Sequence, residues 1–266
     1  MRRPLAPLAP LTLLLFLLLL AGCTTAPPRD DRSAARWQPK PGLTWQWQLS
    51  GRLDPSLDVP VYDIDGFDHP ASTVEALHAR GRKVICYLST GAWEDFRPDA
   101  AEFPRALLGE GNGWEGERWL DIRRTDVLGP LMAARLDMCR AKGFDAVEPD
   151  NMDGYRNRTG FPLTAADQLR YNRLIATLAH DRGLAVGLKN NLDQIPQLVD
   201  DFDFAVNEQC AQYDECELLT PFVRADKAVF HVEYELDVRE FCPRARKLGL
   251  SSMRKKYELD AWRVPC

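Results

Sequence analysis

Short apolar runs alternate with helical patterns along most of the sequence, and this alternation constrains the fold more than any other feature. Each run is rich in β-branched or other apolar residues and is bounded by Gly, Asp or Pro, as strands usually are. The runs lie at residues 59–65, 83–89, 119–122, 145–148, 184–189, 202–206, 228–234 and 250–253. Eight strands that alternate with helices predict an α/β fold, a (β/α)8 TIM barrel.

Helical patterns fill the intervals, near residues 72–80, 125–142, 164–182, 193–200, 215–225 and 238–248. Thr164 followed by Asp167 predicts a helix start, and Gly183 predicts a helix end. Residues 91–118 predict a long loop, and residues 44–49 predict a short N-terminal strand extension at the bottom or edge of the barrel. A doubly wound open sheet is the alternative, but no GxGxxG motif follows the first strand.

The first 22 residues have the pattern of a secretory signal peptide, with basic residues before an apolar run at 11–20. That run is shorter than the about 20 residues that a transmembrane helix needs. The sequence Leu-Ala-Gly before Cys23 resembles the bacterial lipobox, which implies an exported protein acylated at Cys23 and anchored to a membrane. Thr24, in place of Asp, favours the outer membrane or the cell surface. An ordinary signal peptide with an incidental Cys is the alternative.

Residues 23–43 are rich in Pro, Arg, Asp and Ser and predict a flexible lipidated linker, whereas residues 44–266 predict one globular domain. Loss of residues 1–22, which carry two Arg and no acid, changes the formal charge from −5 to −7. An acidic surface argues against nucleic acid as a partner, because phosphate binding needs Lys and Arg patches. It is compatible with a cationic substrate. The sequence leaves the oligomeric state open.

Six further Cys remain in the exported part of the chain, which predicts disulfide bonds because the compartment is oxidising. Fifteen pairings are possible. The local pair Cys210–Cys216 is favoured, and the others could pair as Cys242–Cys266 and Cys86–Cys139. A zinc site is disfavoured, since the sequence has no CxxC motif and its four His have no ligand-like spacing.

Polar residues follow six of the eight predicted strands, at the point where each strand ends. In a barrel these ends converge on one face, where active sites are built. A single acid at such a place is often a helix N-cap, but six ends with acids, amides or tyrosines predict an active site. The candidates are Asp63, Asp65, Tyr87, Glu148, Asp150, Asp153, Lys189, Asn190, Glu208 and Tyr234.

The residue types at these ends suit the cleavage of a glycosidic bond. That reaction needs one carboxylic acid to protonate the leaving oxygen and a second carboxylate to attack or to activate water. Aromatic residues near the ends could stack on sugar rings, and Lys189 with Asn190 could bind ring hydroxyls. The sequence offers no Ser-His-Asp order and no phosphate loop. Two carboxylates suffice for the chemistry, so we expect no metal and no organic cofactor.

Six segments, taken in order, carry a resemblance to a known family. They are WQWQLSG at 45–51, VYDID at 61–65, VICYLSTGAWE at 84–94, KGFDAVEPDNMD at 142–153, GLKN at 187–190, and NEQC from 207 through Tyr213 to Cys216. Together they resemble glycoside hydrolase family 114, the endo-α-1,4-polygalactosaminidases, over residues 44–256. The resemblance implies a barrel that cleaves internal α-1,4 linkages of cationic, galactosamine-rich polysaccharides.

The resemblance also implies roles for residues. The catalytic pair of the family matches Asp150 and Glu208, and a similarity to the α-galactosidase clan implies Asp150 as nucleophile, Glu208 as acid/base and retention of configuration. Glu148 and Asp153 flank Asp150 and could raise its pKa or bind an ammonium group. The remaining candidates are implied to bind substrate: Asp63, Asp65, Tyr87, Lys189, Asn190 and Tyr234.

Two other functions remain open at this point. One is a glycosidase of the same fold that acts on another amino sugar or α-linked sugar. The other is a glycan-binding lipoprotein on a hydrolase scaffold. A degenerate binder is expected to lose one of its catalytic acids, and both Asp150 and Glu208 are present.

Overall fold

The computed structural model describes residues 36–266. The strands are β1 (Trp45–Gln48), β2 (Val61–Asp65), β3 (Lys83–Ser89), β4 (Ala92–Glu94), β5 (Leu108–Gly111), β6 (Glu117–Leu120), β7 (Ala146–Asp150), β8 (Ala185–Lys189), β9 (Phe204–Glu208), β10 (Val229–Glu233), β11 (Ser251–Arg254) and β12 (Val264–Pro265). The α-helices are α1 (Ala71–His78), α2 (Thr125–Ala141), α3 (Ala165–His180), α4 (Ile195–Leu198), α5 (Thr220–Arg224) and α6 (Val238–Lys247). Short 3₁₀ helices lie between several of these elements.

Eight parallel strands form one curled sheet, in the order β1-β2-β3-β7-β8-β9-β10-β11, and β12 adds to β11 in antiparallel orientation. The indole nitrogen of Trp45 donates a hydrogen bond of 2.8 Å to the carbonyl oxygen of Ser251, which links the first and last parallel strands. Eight parallel strands with helices between them confirm the predicted TIM-barrel class.

The membership of two strands differs from the sequence-based prediction. Residues 44–49 are not an extension, since β1 is the first strand of the parallel sheet and pairs with β2 from Trp45 opposite Val61. The apolar run at 119–122 overlaps β6, which lies in a separate three-stranded antiparallel sheet with β4 and β5. Relative to the prediction, the barrel gains β1 and loses the run at 119–122. The numbering of the later strands is therefore unchanged, and β7 and β9 are the fourth and sixth parallel strands, as predicted.

The interior of the barrel holds one of two apolar clusters, and it explains why β1 is a barrel strand. Trp45 and Trp47 are buried there, and the Trp45 ring centroid lies 4.9 Å from that of Phe230. These large rings need small neighbours. A Cβ atom on Gly187 of β8 would lie 2.4 Å from the Phe204 ring, so this position requires glycine. The second cluster lies between the sheet and the helices.

Predicted local features are confirmed in the helices and the disulfide bonds. The Thr164 and Asp167 side chains form a reciprocal capping box at the start of α3, and Gly183 follows its end with φ +72°. Disulfides join Cys86 to Cys139, Cys210 to Cys216, and Cys242 to Cys266. The first ties β3 to α2, and the second closes the loop directly after β9.

The predicted signal peptide, Cys23 and most of the predicted linker lie outside the described residues. Residues 36–43, the end of that linker, lie against the amino-terminal end of the sheet. The amide of Ala228 donates a hydrogen bond of 2.9 Å to the Pro39 carbonyl, and the Arg36 guanidinium lies 3.2 Å from Asp203. The residues that pack with the domain therefore include some before residue 44. Within residues 36–266, no helix has the length and apolar character to cross a membrane.

Candidate active site at the carboxyl ends of the strands

The carboxyl ends of five parallel strands border a cavity of about 520 Å³. The strands β2, β3, β7, β8 and β9 contribute Asp65, Tyr87, Asp150, Lys189 and Glu208, respectively. These candidates meet because parallel strands of a barrel all end on the same face. The sequence-based prediction of one converging set of strand ends is confirmed for these five residues.

The other candidates lie around this cavity in different ways. Tyr234, just beyond β10, lines it. Asp63 and Glu148 are fully buried below it and do not reach its surface. Asp153 and Asn190 line a neighbouring cavity of about 340 Å³, which shares Glu208 with the first.

Asp150 is held at the end of β7 by an unusual backbone turn. Asn151 adopts φ +62°, and its amide donates a hydrogen bond of 2.8 Å to Oδ1 of Asp150. A Cβ atom on Gly91 would lie 1.8 Å from the Asn151 carbonyl oxygen, so glycine is needed where β3 meets this turn. The Tyr87 hydroxyl donates a hydrogen bond of 2.8 Å to Oδ2 of Asp150.

The electrostatic surroundings keep Asp150 ionised. Burial by itself raises the pKa of this carboxyl, but the Lys189 ammonium and the donors from Asn151 and Tyr87 outweigh burial and hold the pKa below its usual value. About a fifth of the side chain, 22%, remains exposed towards the cavity. Asp150 is thus a charged carboxylate that a substrate can reach.

Glu208 faces the same cavity from β9 and has a different set of partners. Tyr234 donates its hydroxyl to Oε1, and Asn190 donates its amide group to Oε2 at 3.2 Å. The side-chain oxygen of Asn190 accepts the Glu208 backbone amide at 2.9 Å, so one residue fixes both the backbone and the carboxyl group. The side chain of Glu208 is 26% exposed.

Lys189 joins three carboxylates at the base of the cavity. Its Nζ lies 2.9 Å from Glu148, 3.0 Å from Asp150 and 3.4 Å from Glu208, and the side chain is 2% exposed. The Nζ also lies 4.7 Å from the ring centroid of Trp47. Burial lowers the pKa of Lys189, but the surrounding carboxylates raise it well above its usual value. The ammonium is therefore engaged by acids, whereas the sequence suggested that it binds a ring hydroxyl.

Asp63 and Glu148 form a buried carboxyl pair beneath Lys189. Both oxygens of Asp63 and Oε2 of Glu148 are buried without a hydrogen-bond donor from another group. Burial, reinforced by the charge of Glu148 and by a hydrogen bond between the two groups, raises the pKa of Asp63 well above its usual value. A proton on Asp63 gives the pair its missing donor, since unpaired buried polar atoms are costly. We therefore assign Asp63 as the protonated member.

Five charged residues of the cavity wall were missed at the sequence level: Asp68, Glu94, Arg97, Glu117 and Glu258. Arg97 donates to both oxygens of Asp65, at 3.0 and 2.6 Å, and to Glu94 at 2.8 Å. Glu94 and Arg97 come from the long segment between β3 and α2, which is an insertion relative to an ideal barrel. The signal was available, because Glu94 closes one of the segments that carry the family resemblance.

Exposed aromatic side chains surround both cavities. Phe96, Trp114 and Tyr257 line the first cavity and Tyr213 lines the second, and they are 59%, 62%, 47% and 62% exposed. The ring of Tyr257 stacks on that of Tyr234 with a centroid distance of 4.3 Å. Exposed rings beside a polar cavity suit a ligand that has apolar faces and polar edges, as a sugar has.

One cluster in the described residues has the composition of a metal site. Potential ligand atoms of Cys210, Cys216 and His231 lie within 4.8 Å of one another. The two sulfurs are bonded to each other, and His231 is hydrogen bonded to Ser252 and Glu233, both at 2.8 Å. These partners occupy the ligand atoms, so the cluster does not fit a resident metal ion.

Comparison with known proteins identifies the family. Residues 26–266 match the sequence model of glycoside hydrolase family GH114. This chain belongs to family GH114. The resemblance that the six sequence segments carry is therefore confirmed, and GH114 membership makes the chain a glycoside hydrolase.

Two solved structures and one curated relative are similar to this chain. Ega3 of Aspergillus fumigatus, solved in complex with galactosamine, is 39% identical with a TM-score of 0.81, and the match covers 88% of this chain and 99% of Ega3. The glycoside hydrolase domain of PelA from Pseudomonas aeruginosa is 14% identical with a TM-score of 0.66, covering 84% and 98% of the two chains, which shows a common fold. An uncharacterized protein of Deinococcus radiodurans is 28% identical over an alignment of 263 residues, and the alignment covers 83% of this chain and 84% of that protein.

Proposed function

We propose that this GH114 hydrolase cleaves α-1,4 linkages within galactosamine-rich polysaccharides, with Asp150 as nucleophile and Glu208 as acid/base. The observation that carries the proposal is the pair of partly exposed carboxylates, on the fourth and sixth parallel strands, that face one cavity and share Lys189. The 39% identical Ega3 was solved with galactosamine, which supports an amino sugar as the recognised unit.

The charge of the cavity supports a cationic substrate. Seven acidic residues line it, and its two cations, Arg97 and Lys189, are already paired with acids. A protonated amino sugar would compensate part of this excess of negative charge. The exposed aromatic side chains at the rim extend the surface beyond one sugar unit, as cleavage within a polymer requires.

The proposed reaction proceeds in two steps. In the first, an oxygen of Asp150 attacks the anomeric carbon while the protonated Glu208 gives its proton to the leaving glycosidic oxygen. In the second, Glu208 takes a proton from water, and that water displaces Asp150 from the anomeric carbon. The Tyr234 hydroxyl and the Asn190 amide hold Glu208 in place during both transfers.

The distances around Lys189 are compatible with retention of configuration. The ammonium lies 3.0 Å from an oxygen of Asp150 and 3.4 Å from an oxygen of Glu208, so these two oxygens are less than about 6.5 Å apart. Inverting enzymes separate their carboxyl groups by roughly 6.5–9.5 Å to admit a water molecule, and retaining enzymes by roughly 5–5.5 Å.

The test uses the purified protein with a partly deacetylated α-1,4-galactosamine polymer, and mass spectrometry detects released oligosaccharides. We expect products from the wild type and at least about a 100-fold lower rate from Asp150→Asn and Glu208→Gln, because each removes one half of the acid–base chemistry. NMR of the first products reports whether the α configuration is retained. Binding without products would instead favour the glycan-binding lipoprotein. Rates equal to that of the wild type in both variants would refute the residue assignment.

We also propose that the enzyme acts outside the cell while anchored through acylated Cys23, as the lipobox-like sequence implies. The three disulfide bonds support an oxidising, exported location. Mass spectrometry of the membrane-extracted protein should show a lipid-modified N-terminal Cys23, and Cys23→Ser should leave the protein without the lipid. An unmodified Cys23 in the membrane-extracted wild type would contradict the anchor.

A further inference from the structure

The second cavity, of about 340 Å³, is lined by Glu208 but not by Asp150. Glu208 and Gln209 line both cavities, whereas Asp150 lines the first and Asp153 lines the second. The acid/base therefore stands at the boundary between two chambers, and the nucleophile faces one of them.

This arrangement gives the bound polysaccharide a direction. The nucleophile must reach the anomeric carbon of the sugar that it attacks, so that sugar occupies the first cavity. The acid/base protonates the oxygen between two sugars, so the departing sugar lies beyond Glu208. We infer that the second cavity binds the departing, reducing-end sugar as a protonated amine and that the Asp153 carboxylate is the group that recognises the ammonium. The inference rests on the proposed function, because it uses the roles assigned to Asp150 and Glu208.

Asp153 is suited to this task because its charge is only weakly compensated. Among residues 36–266 its carboxylate forms no ion pair, and the nearby Arg156 is paired with Asp193 at 2.5 Å. Burial, with a contribution from the charge of Asp150, raises the pKa of Asp153 to about 6. The group is thus mostly ionised at neutral pH but poorly solvated, and an incoming ammonium replaces the missing solvation.

The other walls of the cavity fit a sugar unit. Asn157, Asn190 and Asn191 supply amide groups, and the exposed ring of Tyr213 stands at the opening. The Asn157 amide donates a hydrogen bond of 3.1 Å to the carbonyl of Asp153, which holds the segment that carries the carboxylate. An N-acetyl group on the sugar would remove the positive charge and leave Asp153 unpaired.

The experiment identifies separately the sugars on the two sides of the cleaved glycosidic bond. A randomly, partly N-acetylated α-1,4-galactosamine polymer is digested, and the oligosaccharide ends are sequenced by mass spectrometry. Each new non-reducing end was bound in the second cavity, and each new reducing end in the first. We expect the ratio of free amines to N-acetyl groups at new non-reducing ends to exceed the ratio in the polymer about 10- to 100-fold, the range for one hydrogen bond to a charged group.

Asp153→Asn is expected to abolish this enrichment at new non-reducing ends while the composition of new reducing ends stays as in the wild type. Glu75→Gln is the matched control, because it removes one negative charge from the exposed surface of α1, outside both cavities. The oligosaccharides that Glu75→Gln releases should have the same end composition as those released by the wild type.

Two outcomes overturn the inference while the hydrolase assignment stands. They are wild-type products without enrichment at new non-reducing ends, which needs no variant, and an enrichment that persists in a folded Asp153→Asn protein. Failure of the wild type to cut any galactosamine polymer would instead refute the proposed function itself.

Discussion

The Nζ atom of Lys189 lies 3.0 Å from Oδ1 of Asp150, and the same ammonium contacts two further acids. A single buried cation thus serves both proposed catalytic carboxylates and the carboxyl pair below them. Its position sets the ionisation of Asp150, whose lowered pKa depends on it. Lys189 is a positioning residue in this scheme, because it acts through the acids that touch the substrate.

Lys189→Met should lower both stability and activity, because three acids lose their counter-charge. Removal of one partner of a buried ion pair costs about 3–5 kcal/mol of unfolding free energy. Because the wild-type pKa of Asp150 is lowered, its ionised form contributes stability above its unfolded pKa, and this contribution is lost as the pH falls through the folded pKa. Urea unfolding and the pH profile of kcat/KM measure the two effects, and the acid limb of the variant should move to higher pH.

Lys83→Met is the matched control for that variant. Lys83 is 47% exposed and pairs with Asp145 at 2.6 Å on the surface, where such a pair contributes about 0–1 kcal/mol. An acid limb that stays in place in Lys189→Met would contradict the electrostatic role of Lys189.

Asp63→Asn should retain the fold and most of the activity, because an amide donor replaces the proton of the Asp63–Glu148 pair. The raised pKa of wild-type Asp63 contributes stability below the unfolded pKa, and this is lost as the pH rises through the folded pKa. Thermal unfolding measured across the pH range should therefore show that the melting temperature of the variant falls less towards alkaline pH than that of the wild type. Asp58→Asn, at a 98% exposed side chain, should leave the wild-type profile unchanged. Severe destabilisation of Asp63→Asn at every pH would show that Asp63 is ionised.

Tyr234→Phe should slow the reaction without disturbing the fold. It removes the hydroxyl that donates to Glu208 but keeps the ring that stacks on Tyr257. A hydrogen bond to a charged group contributes about 1.5–3 kcal/mol, so kcat/KM should fall about 10- to 100-fold. Tyr62→Phe loses a hydroxyl that donates to Leu57 at 2.9 Å, away from the cavities, and should affect stability alone. Wild-type kinetics for Tyr234→Phe would exclude its hydroxyl from the reaction.

Loss of the Cys210–Cys216 disulfide should weaken substrate binding more than the fold. The bond closes a short loop, which in the chain-entropy account is worth about 2 kcal/mol. That loop begins after Gln209 and carries Tyr213, and both line the second cavity. The double Cys→Ser variant should show a higher KM for polymer with a smaller change in kcat. The corresponding Cys242–Cys266 variant is the control, because that bond ties α6 to the end of the chain, and an equal rise in KM there would contradict a local effect.

The sequence was sufficient to predict the barrel class and the converging strand ends, because both follow from local patterns. It was not sufficient to choose between residues 44–49 and 119–122 as a barrel strand. Each is a short apolar run, and hydrogen-bond partners distant in sequence decide the sheet to which it belongs. The buried rings of Trp45 and Trp47 fill the barrel interior, and that filling is visible only after the other strands are in place.

The strand-end residues that border the cavity were predictable from the sequence, but the arrangement of the charges around it was not. Asp63 and Asp65 are two residues apart on β2, so they face the same side of the sheet, yet Asp63 is paired with Glu148 below the cavity and Asp65 with Arg97 at its wall. Their environments differ because their partners come from different elements. Arg97 comes from a loop insertion, and strand-end reasoning has no way to find it.

The surplus of acids around the two cavities also has a cost that the molecule carries when no ligand is bound. Poorly compensated carboxylates repel one another, so replacements by neutral residues at positions such as Asp153 should raise the melting temperature even as they impair recognition. A laboratory selection for heat resistance alone would therefore tend to discard acids such as Asp153, which the structure uses for recognition of the substrate and not for its own stability.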